Sequence, residues 1–378
     1  MVKRIDYNRH NIDKIEINYV VASLKGSKLT KGVYLEKFEN SLKKYFSAKY
    51  AIATTNATSS FDIIFSSLKL KSNQKFILSP ITFCSAANSL MKLNIKPIFG
   101  DICPDEPNLD PSSVEKIILL NKKKGIKISG VVVTDYGGLP AKWKEFKKLK
   151  KKYNILLIND NCHALGSSYC KNKQYAIKYA DIVVQSFHAV KNITSGEGGA
   201  ILTNNKSFYK QFISFREHGF IKKNDWSYNL SKPGFNSRMT EMQAALGYSQ
   251  LKKANTFVKK RQFIAKIYNK EFSNNINFTI PKIYKDKKSS FHLYYLNIDF
   301  KKLKLSKNKL IKNLRKKGIF LQVHYTPTYR FDLYKKFYDQ KIHKNAEIFF
   351  EQTVSIPMFT TLSNNQIEYI VKCIKHEI

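Results

Sequence analysis

What this chain lacks narrows what it can be. Its five cysteines, Cys84, Cys103, Cys162, Cys170 and Cys373, form no CxxC pair and no regular framework, so neither a structural zinc site nor a disulfide scaffold is indicated and no metal is expected. No uninterrupted apolar run approaches the roughly 20 residues that a spanning helix needs. The opening MVKRIDYNRHNID lacks the apolar centre of a signal peptide, and a reducing cytoplasm is the expected setting. Acidic residues are scarce, 28 Asp plus Glu against 66 Lys plus Arg, for a net charge of +38. Such an excess suits nucleic acid, an anionic membrane or a phosphorylated substrate. The chain shows no recognition-helix motif and no paired aromatic-basic RNA signature. Its lysines scatter over surface-like positions such as Lys122 to Lys124 and Lys150 to Lys152, as a compositional bias would leave them. A non-catalytic, nucleic-acid-binding regulator is the alternative from a different class.

What is present points to a globular protein. The 378 residues, 43% hydrophobic and 13% aromatic, suffice for a large domain and a smaller one. Short apolar runs recur at Tyr50 to Thr54, Phe76 to Ser79, Pro97 to Asp101, Gly130 to Asp135, Ile155 to Asp160, Asp181 to Phe187 and Gly199 to Thr203. Between them lie stretches with apolar residues at helical spacing, such as Phe61, Ile64, Phe65 and Leu68. The alternation predicts an α/β fold with a mostly parallel sheet of about seven strands and helices on both faces. Only about a dozen residues separate the last two strands, too few for a crossover helix, which predicts antiparallel neighbours. A long helical pattern after Ser237 leads out of the large domain. Strands at Leu293 to Ile298 and Ile319 to Tyr325 and a helix from Asn364 predict a small C-terminal α+β domain. The expected division is 1–255 and 256–378, with an N-terminal arm, 1–30, that packs on the smaller part.

The loop between those last two strands carries SFHAVKNITSGEGG, with Lys191 flanked by hydroxyls and followed by glycines that admit close backbone approach. A lysine so placed is open to desolvation and loss of its proton, as a Schiff-base amine requires. Asp160 ends a strand, where open α/β sheets bind ligands. There it is suited either to pair with a protonated pyridine nitrogen or simply to cap a helix. NATSS at 56–60 opens a helix, with small hydroxylated residues that serve a phosphate or ordinary capping equally well. Phe83 follows another strand, as a stacking face for a planar ligand or as core. His188 is a wall residue or a substrate contact. All four strand-end features fall where one pyridoxal 5′-phosphate would need them.

With these segments LTKG at 29–32, SPITFCSAAN at 79–88, NDNCHALGSSY at 159–169, FNSRMTEMQAALG at 235–247 and VHYTP at 323–327 complete a set that spans nearly the whole chain. The set resembles the fold type I sugar-nucleotide aminotransferases. SFHAVK, CHALG and NATS are closest in spelling to the branch that serves pseudaminic acid synthesis and acts on a UDP-linked 4-keto-6-deoxy-N-acetylhexosamine of the L-series. The resemblance implies Lys191 as the Schiff-base lysine, Asp160 as the pyridinium partner, and His163 near the ring hydroxyl. Phe83 becomes the stacking aromatic, and Ala57, Thr58, Ser59 and Ser186 belong to the cofactor cradle. Asn236 is implied as an asparagine lent by the partner of a homodimer. Sugar-nucleotide contacts are implied at Tyr7, Ser27, Lys28, Leu29, Thr30, Ala57, Ser186, Asn236, Gln322, Val323, His324 and Tyr325. L-Glutamate is the implied amino donor. Many relatives have Gly at the Ala57 position and an acid at the Asn159 position; the Ala matches the pseudaminic branch. Relatives that replace the lysine with histidine are dehydratases, and the presence of Lys191 favours amino transfer. Another nucleotide-linked 4-keto sugar, such as a perosamine or D-series precursor, is the alternative substrate.

Overall fold

In the computed structural model, residues 4–230, 232–337 and 343–378 are described. Seven strands form the central sheet: β1 (Tyr50–Thr54), β2 (Gln74–Leu78), β3 (Ile98–Phe99), β4 (Lys127–Thr134), β5 (Leu156–Asp160), β6 (Ile182–Ser186) and β7 (Gly199–Thr203). Their spatial order is β1-β7-β6-β5-β4-β2-β3. Strand β7 runs antiparallel to both neighbours, while the pairs from β6 through β3 are parallel. The short connection expected to force an antiparallel pair therefore does so, with Ile182 opposite Thr203 and Ser186 opposite Gly199.

Both faces of the sheet are covered. Ala53, Val131, Val133, Leu157, Val183 and Leu202 enter one core, and Ile52, Val132, Ile158, Ile182, Val184 and Ile201 enter the other. That assignment follows the two-residue alternation of a strand, and because each face meets helices the strands are apolar throughout. A third core belongs to the C-terminal unit and gathers Tyr294, Leu296, Leu310, Ile319, Val354 and Ile370. Ile5 joins this core and pairs with Ile319. The helix Lys14–Leu24 packs instead along the helix Glu241–Phe272.

That 32-residue helix joins the units. It starts sharply because Thr240 and Gln243 form a reciprocal capping box. Its first half buries Ala244, Leu251, Ala254 and Phe257 against the sheet core, and its second buries Ile264, Tyr268 and Phe272 in the C-terminal core. In the C-terminal unit the strands Phe278–Thr279, Tyr294–Ile298 and Thr353–Ile356 form an antiparallel sheet, with the terminal helix Asn364–Glu377 beside it. The strand expected at Ile319 to Tyr325 is not one. Its backbone changes partner midway, from Ile5 at Ile319 to Ser355 at Gln322, so only isolated bridges form.

Candidate active site

A cavity of about 850 Å³ opens at the C-terminal ends of β1, β2, β5 and β6, closed on one side by the segment from Gln322. It is lined by Ala57, Thr58, Ser59, Phe83, Asp160 and His163, by Ser186, His188 and Lys191, and by Tyr7, Gln322, Val323, His324 and Tyr325. Residues scattered over more than 300 positions are thus brought to one volume, a size suited to a cofactor together with a nucleotide-linked ligand.

Lys191 sits on the β6–β7 loop, whose backbone is tied across its neck by Phe187 N–H to the Gly198 carbonyl (2.8 Å) and Ser195 N–H to the Phe187 carbonyl (2.8 Å). The Asn192 side chain anchors the loop to the Leu165 carbonyl at 3.0 Å. Burial lowers the amine below the usual lysine range, and the nearby Cys162 and Asp160 oppose but do not cancel that effect. The amine is therefore easier to deprotonate than a surface lysine. Gly199 is required where the loop rejoins the sheet, since a Cβ there would lie 2.4 Å from the Asn56 carbonyl carbon and 2.6 Å from the Ala57 nitrogen.

Asp160 caps no helix. One carboxylate oxygen accepts from the Thr82 and Thr134 hydroxyls, each at 3.3 Å, and the other from the Cys162 N–H at 3.3 Å. Nor is Phe83 core: it is 61% exposed, a large aromatic left open on the cavity wall. At the start of the helix Ala57–Ser67, Asn56 accepts from Ser59 N–H, so the N–H groups of the first helical residues, Ala57 and Thr58, stay free of that cap. The Thr58 and Ser85 hydroxyls are 2.9 Å apart, and Thr55 donates to Ser59 at 3.0 Å. A desolvated lysine, a strand-end carboxylate, an open aromatic face and a hydroxylated helix N-terminus make a donor set that fits pyridoxal phosphate.

The opposite wall holds residues that the sequence did not single out. His292 is 2% exposed, lines the cavity, and lies 4.4 Å from the His163 ring between centroids. Burial pushes His163 and His292 well below the usual imidazole range and His324 down to about 3, each aided by the positive charge of Lys191. Thr82 and Thr134 were equally unmarked, although both are hydroxyls at strand ends next to Asp160. Glu197 stands at the mouth, 3.6 Å from His188.

Five expected residues lie elsewhere. Ser27, Lys28, Leu29, Thr30 and Asn236 are exposed and do not line the cavity of their own chain. They share a separate surface in which Thr30 bridges to Thr240, Asn236 to Glu217, and Glu241 N–H donates to the Leu29 carbonyl. Beside it the hairpin Phe220–Lys222 and Tyr228–Leu230 presents Trp226, 85% exposed, next to Tyr228.

Residues 10–375 match the DegT/DnrJ/EryC1/StrS aminotransferase family. The chain belongs to that family. It is a PLP-dependent sugar aminotransferase of fold type I. Among curated relatives, it is 36% identical over 367 residues to the UDP-4-amino-4,6-dideoxy-N-acetyl-beta-L-altrosamine transaminase of Campylobacter jejuni serotype O:23/36, with 97% of this chain and 95% of the relative covered. Among solved structures it superposes on Helicobacter pylori PseC, an aminotransferase involved in the biosynthesis of pseudoaminic acid, with a TM-score of 0.92, 32% identity and 99% of each chain covered. The PMP-form of a sugar aminotransferase from Streptococcus pneumoniae gives a TM-score of 0.89 at 25% identity, over 99% of this chain and 97% of that one. Among the described residues no helix is long and apolar enough to cross a membrane.

Proposed function

We propose that this aminotransferase moves an amino group from L-glutamate to the C4 ketone of a UDP-linked 4-keto-6-deoxy-N-acetylhexosamine. The product is UDP-4-amino-4,6-dideoxy-N-acetyl-beta-L-altrosamine, a precursor of pseudaminic acid. The observation that carries the chemistry is the half-buried Lys191, its amine desolvated, lining one cavity with the strand-end carboxylate Asp160. The similarity to the Campylobacter and Helicobacter enzymes supports the sugar.

Pyridoxal phosphate, when bound, supplies an electron sink and a temporary carrier for the amino group. The chain's own residues do the rest. Lys191 Nζ would hold the cofactor and would serve as the base that takes the proton from the donor Cα and the acid that returns one on the sugar side; its lowered basicity suits these roles. Asp160, fixed by Thr82 and Thr134, holds a proton on the pyridine nitrogen. Phe83 positions the ring by stacking, and Thr58, Ser59, Ser186 and the N–H groups near Ala57 hold the phosphate. Tyr7 and Gln322 to Tyr325 orient the sugar nucleotide from the other wall. Because the donor and the sugar would use the same cavity in turn, ping-pong kinetics are expected.

The working unit is proposed to be a homodimer in which Ser27 to Thr30 and Asn236 complete the partner's cavity. Their exposure outside their own cavity, beside the apolar Leu29, Val33 and Trp226, supports that arrangement. Incubation of the enzyme with PLP, glutamate and a panel of UDP-, GDP- and dTDP-linked 4-keto sugars tests the substrate. The expected product is the L-altro 4-amino sugar by mass and NMR; a perosamine or a D-configured product would replace this reading.

A further inference from the structure

Gln250, on the helix Glu241–Phe272, is 1% exposed, and both ends of its amide are used. Its Oε1 accepts from the Thr194 N–H at 3.3 Å, a partner 56 positions away. Its Nε2 donates to the Asn11 carbonyl at 2.8 Å, a partner 239 positions away. A backbone N–H only donates and a backbone carbonyl only accepts, so the amide has a single orientation.

The two partners belong to different walls of the cavity. Thr194 follows Lys191 on the β6–β7 loop, and its hydroxyl shapes that loop by donating to the Phe187 carbonyl at 3.2 Å and accepting from the Gly196 N–H at 2.9 Å. About two turns earlier on the same helix, Gln243 donates to the Glu197 carbonyl at 2.9 Å, so the helix carries the outer part of the loop. Asn11 lies on the N-terminal segment that brings Tyr7 to the cavity. The start of that segment is tied to the C-terminal unit: Ile5 exchanges backbone bonds with Gly318 and Phe320 at 2.8 and 2.9 Å, and the Met358 N–H donates to the Tyr7 carbonyl at 2.9 Å. Arg261, further along the helix, reaches Asn8 only at 3.5 Å, so the stronger hold of the helix on this segment is at Gln250.

We infer that Gln250 is a positioning residue that holds the Lys191 loop and the Tyr7 segment in one register, so that the lysine and the sugar-facing wall keep a fixed spacing through both halves of the reaction. Gln250 does not line the cavity; it acts through Thr194 and Asn11. The inference rests on the roles proposed above for Lys191 and Tyr7. At 3% exposure Thr194 has little access to water that could replace the amide, and a buried N–H without a partner is costly enough to move the loop. A small displacement of the lysine is then felt with either substrate, whereas a drift of the N-terminal segment is felt only with the sugar nucleotide.

Gln250→Met keeps the volume and removes the amide. In the holoenzyme its single-turnover rate per bound cofactor is expected to fall about tenfold with glutamate and further with the keto sugar, whose KM also rises. Hydrogen exchange, before and after cofactor loading, should show residues 192–196 and 8–12 loosening together. Lys253→Met removes the ion pairs to Asp13 and Glu16 from the same helix without touching the loop, and is expected to leave both single-turnover rates in place. Gln250→Glu serves if Gln250→Met does not fold. Protonated, its acid accepts from Thr194 and donates to Asn11; ionised, it has no proton to donate. Charged groups on the neighbouring elements are Asp13 and Glu16 at the start of the helix Lys14–Leu24, Lys253 on the long helix, and Lys191, His188 and Glu197 on the loop. Relative to wild type, the sugar KM of Gln250→Glu is expected to be near normal at low pH and to climb severalfold as the acid ionises, with the glutamate rate spared. Unchanged rates in Gln250→Met, an equal loss in Lys253→Met, or a Gln250→Glu profile parallel to wild type overturns the inference. A wild type that reacts with glutamate but with no keto sugar overturns the substrate reading instead, and the glutamate rate still decides the contact between Gln250 and the lysine loop.

Discussion

Two surfaces carry the residues assigned to this site, and they differ in completeness. The cavity around Lys191 is built within one chain: carboxylate, lysine, aromatic face and hydroxyl cradle all line it. The surface with Ser27 to Thr30, Asn236 and the Trp226 hairpin lies outside that cavity. The contrast underlies the proposal that one chain attaches the cofactor and a second copy completes the substrate site.

The largest effect that bears on this contrast is at the lysine. Lys191→Ala is expected to cost on the order of 10³-fold or more in kcat, because no neighbouring group replaces its amine. Steady-state assays with glutamate and the keto sugar check it. Asp160→Asn comes next, with a loss on the order of 100-fold carried by kcat rather than KM; Thr82→Val is expected to show a weaker version, as it removes one of the two hydroxyls that hold the carboxylate.

Mixing breaks the comparison in the other direction. Asn236→Ala is expected to be weak and Lys191→Ala inactive, yet co-refolded together they should regain about a quarter of wild-type sites, since half the mixed dimers' sites combine two intact contributions. No recovery would place Asn236 outside the shared site.

The smallest effect is on stability. His163, His292 and His324 are held neutral by burial, His324 down to about 3. The folded pKa lies below the unfolded one near 6.5, so their contribution is present above that pH and is lost as pH falls toward the folded value. Each contributes a slope of up to about 1.4 kcal/mol per pH unit in that window. Urea melts at stepped pH should show the slope and a shallower one in His324→Phe. The slope should persist in a variant that no longer dimerises.

The sheet was legible because its strands announce themselves as apolar runs, and the β6–β7 pairing because a dozen residues cannot cross over. The stretch Ile319 to Tyr325 misled for a physical reason: its composition suits a strand, but its backbone splits between Ile5 and Ser355. In the site, Lys191, Asp160 and the NATSS turn carried local signals of loop, strand end and helix start. His292 carried none. It becomes part of the site only when the C-terminal unit folds back to bring it 4.4 Å from His163, a contact between positions 129 residues apart that no local pattern encodes. Asp160's threonines, one in the loop after β2 and one at the end of β4, were hidden in the same way.

The measurement that tests the account most directly is borohydride reduction of the PLP-loaded protein followed by peptide mapping. The account predicts one equivalent of pyridoxyl label per chain, on Lys191, and none in Lys191→Ala. A label on another lysine, or no label in the wild type, would contradict it.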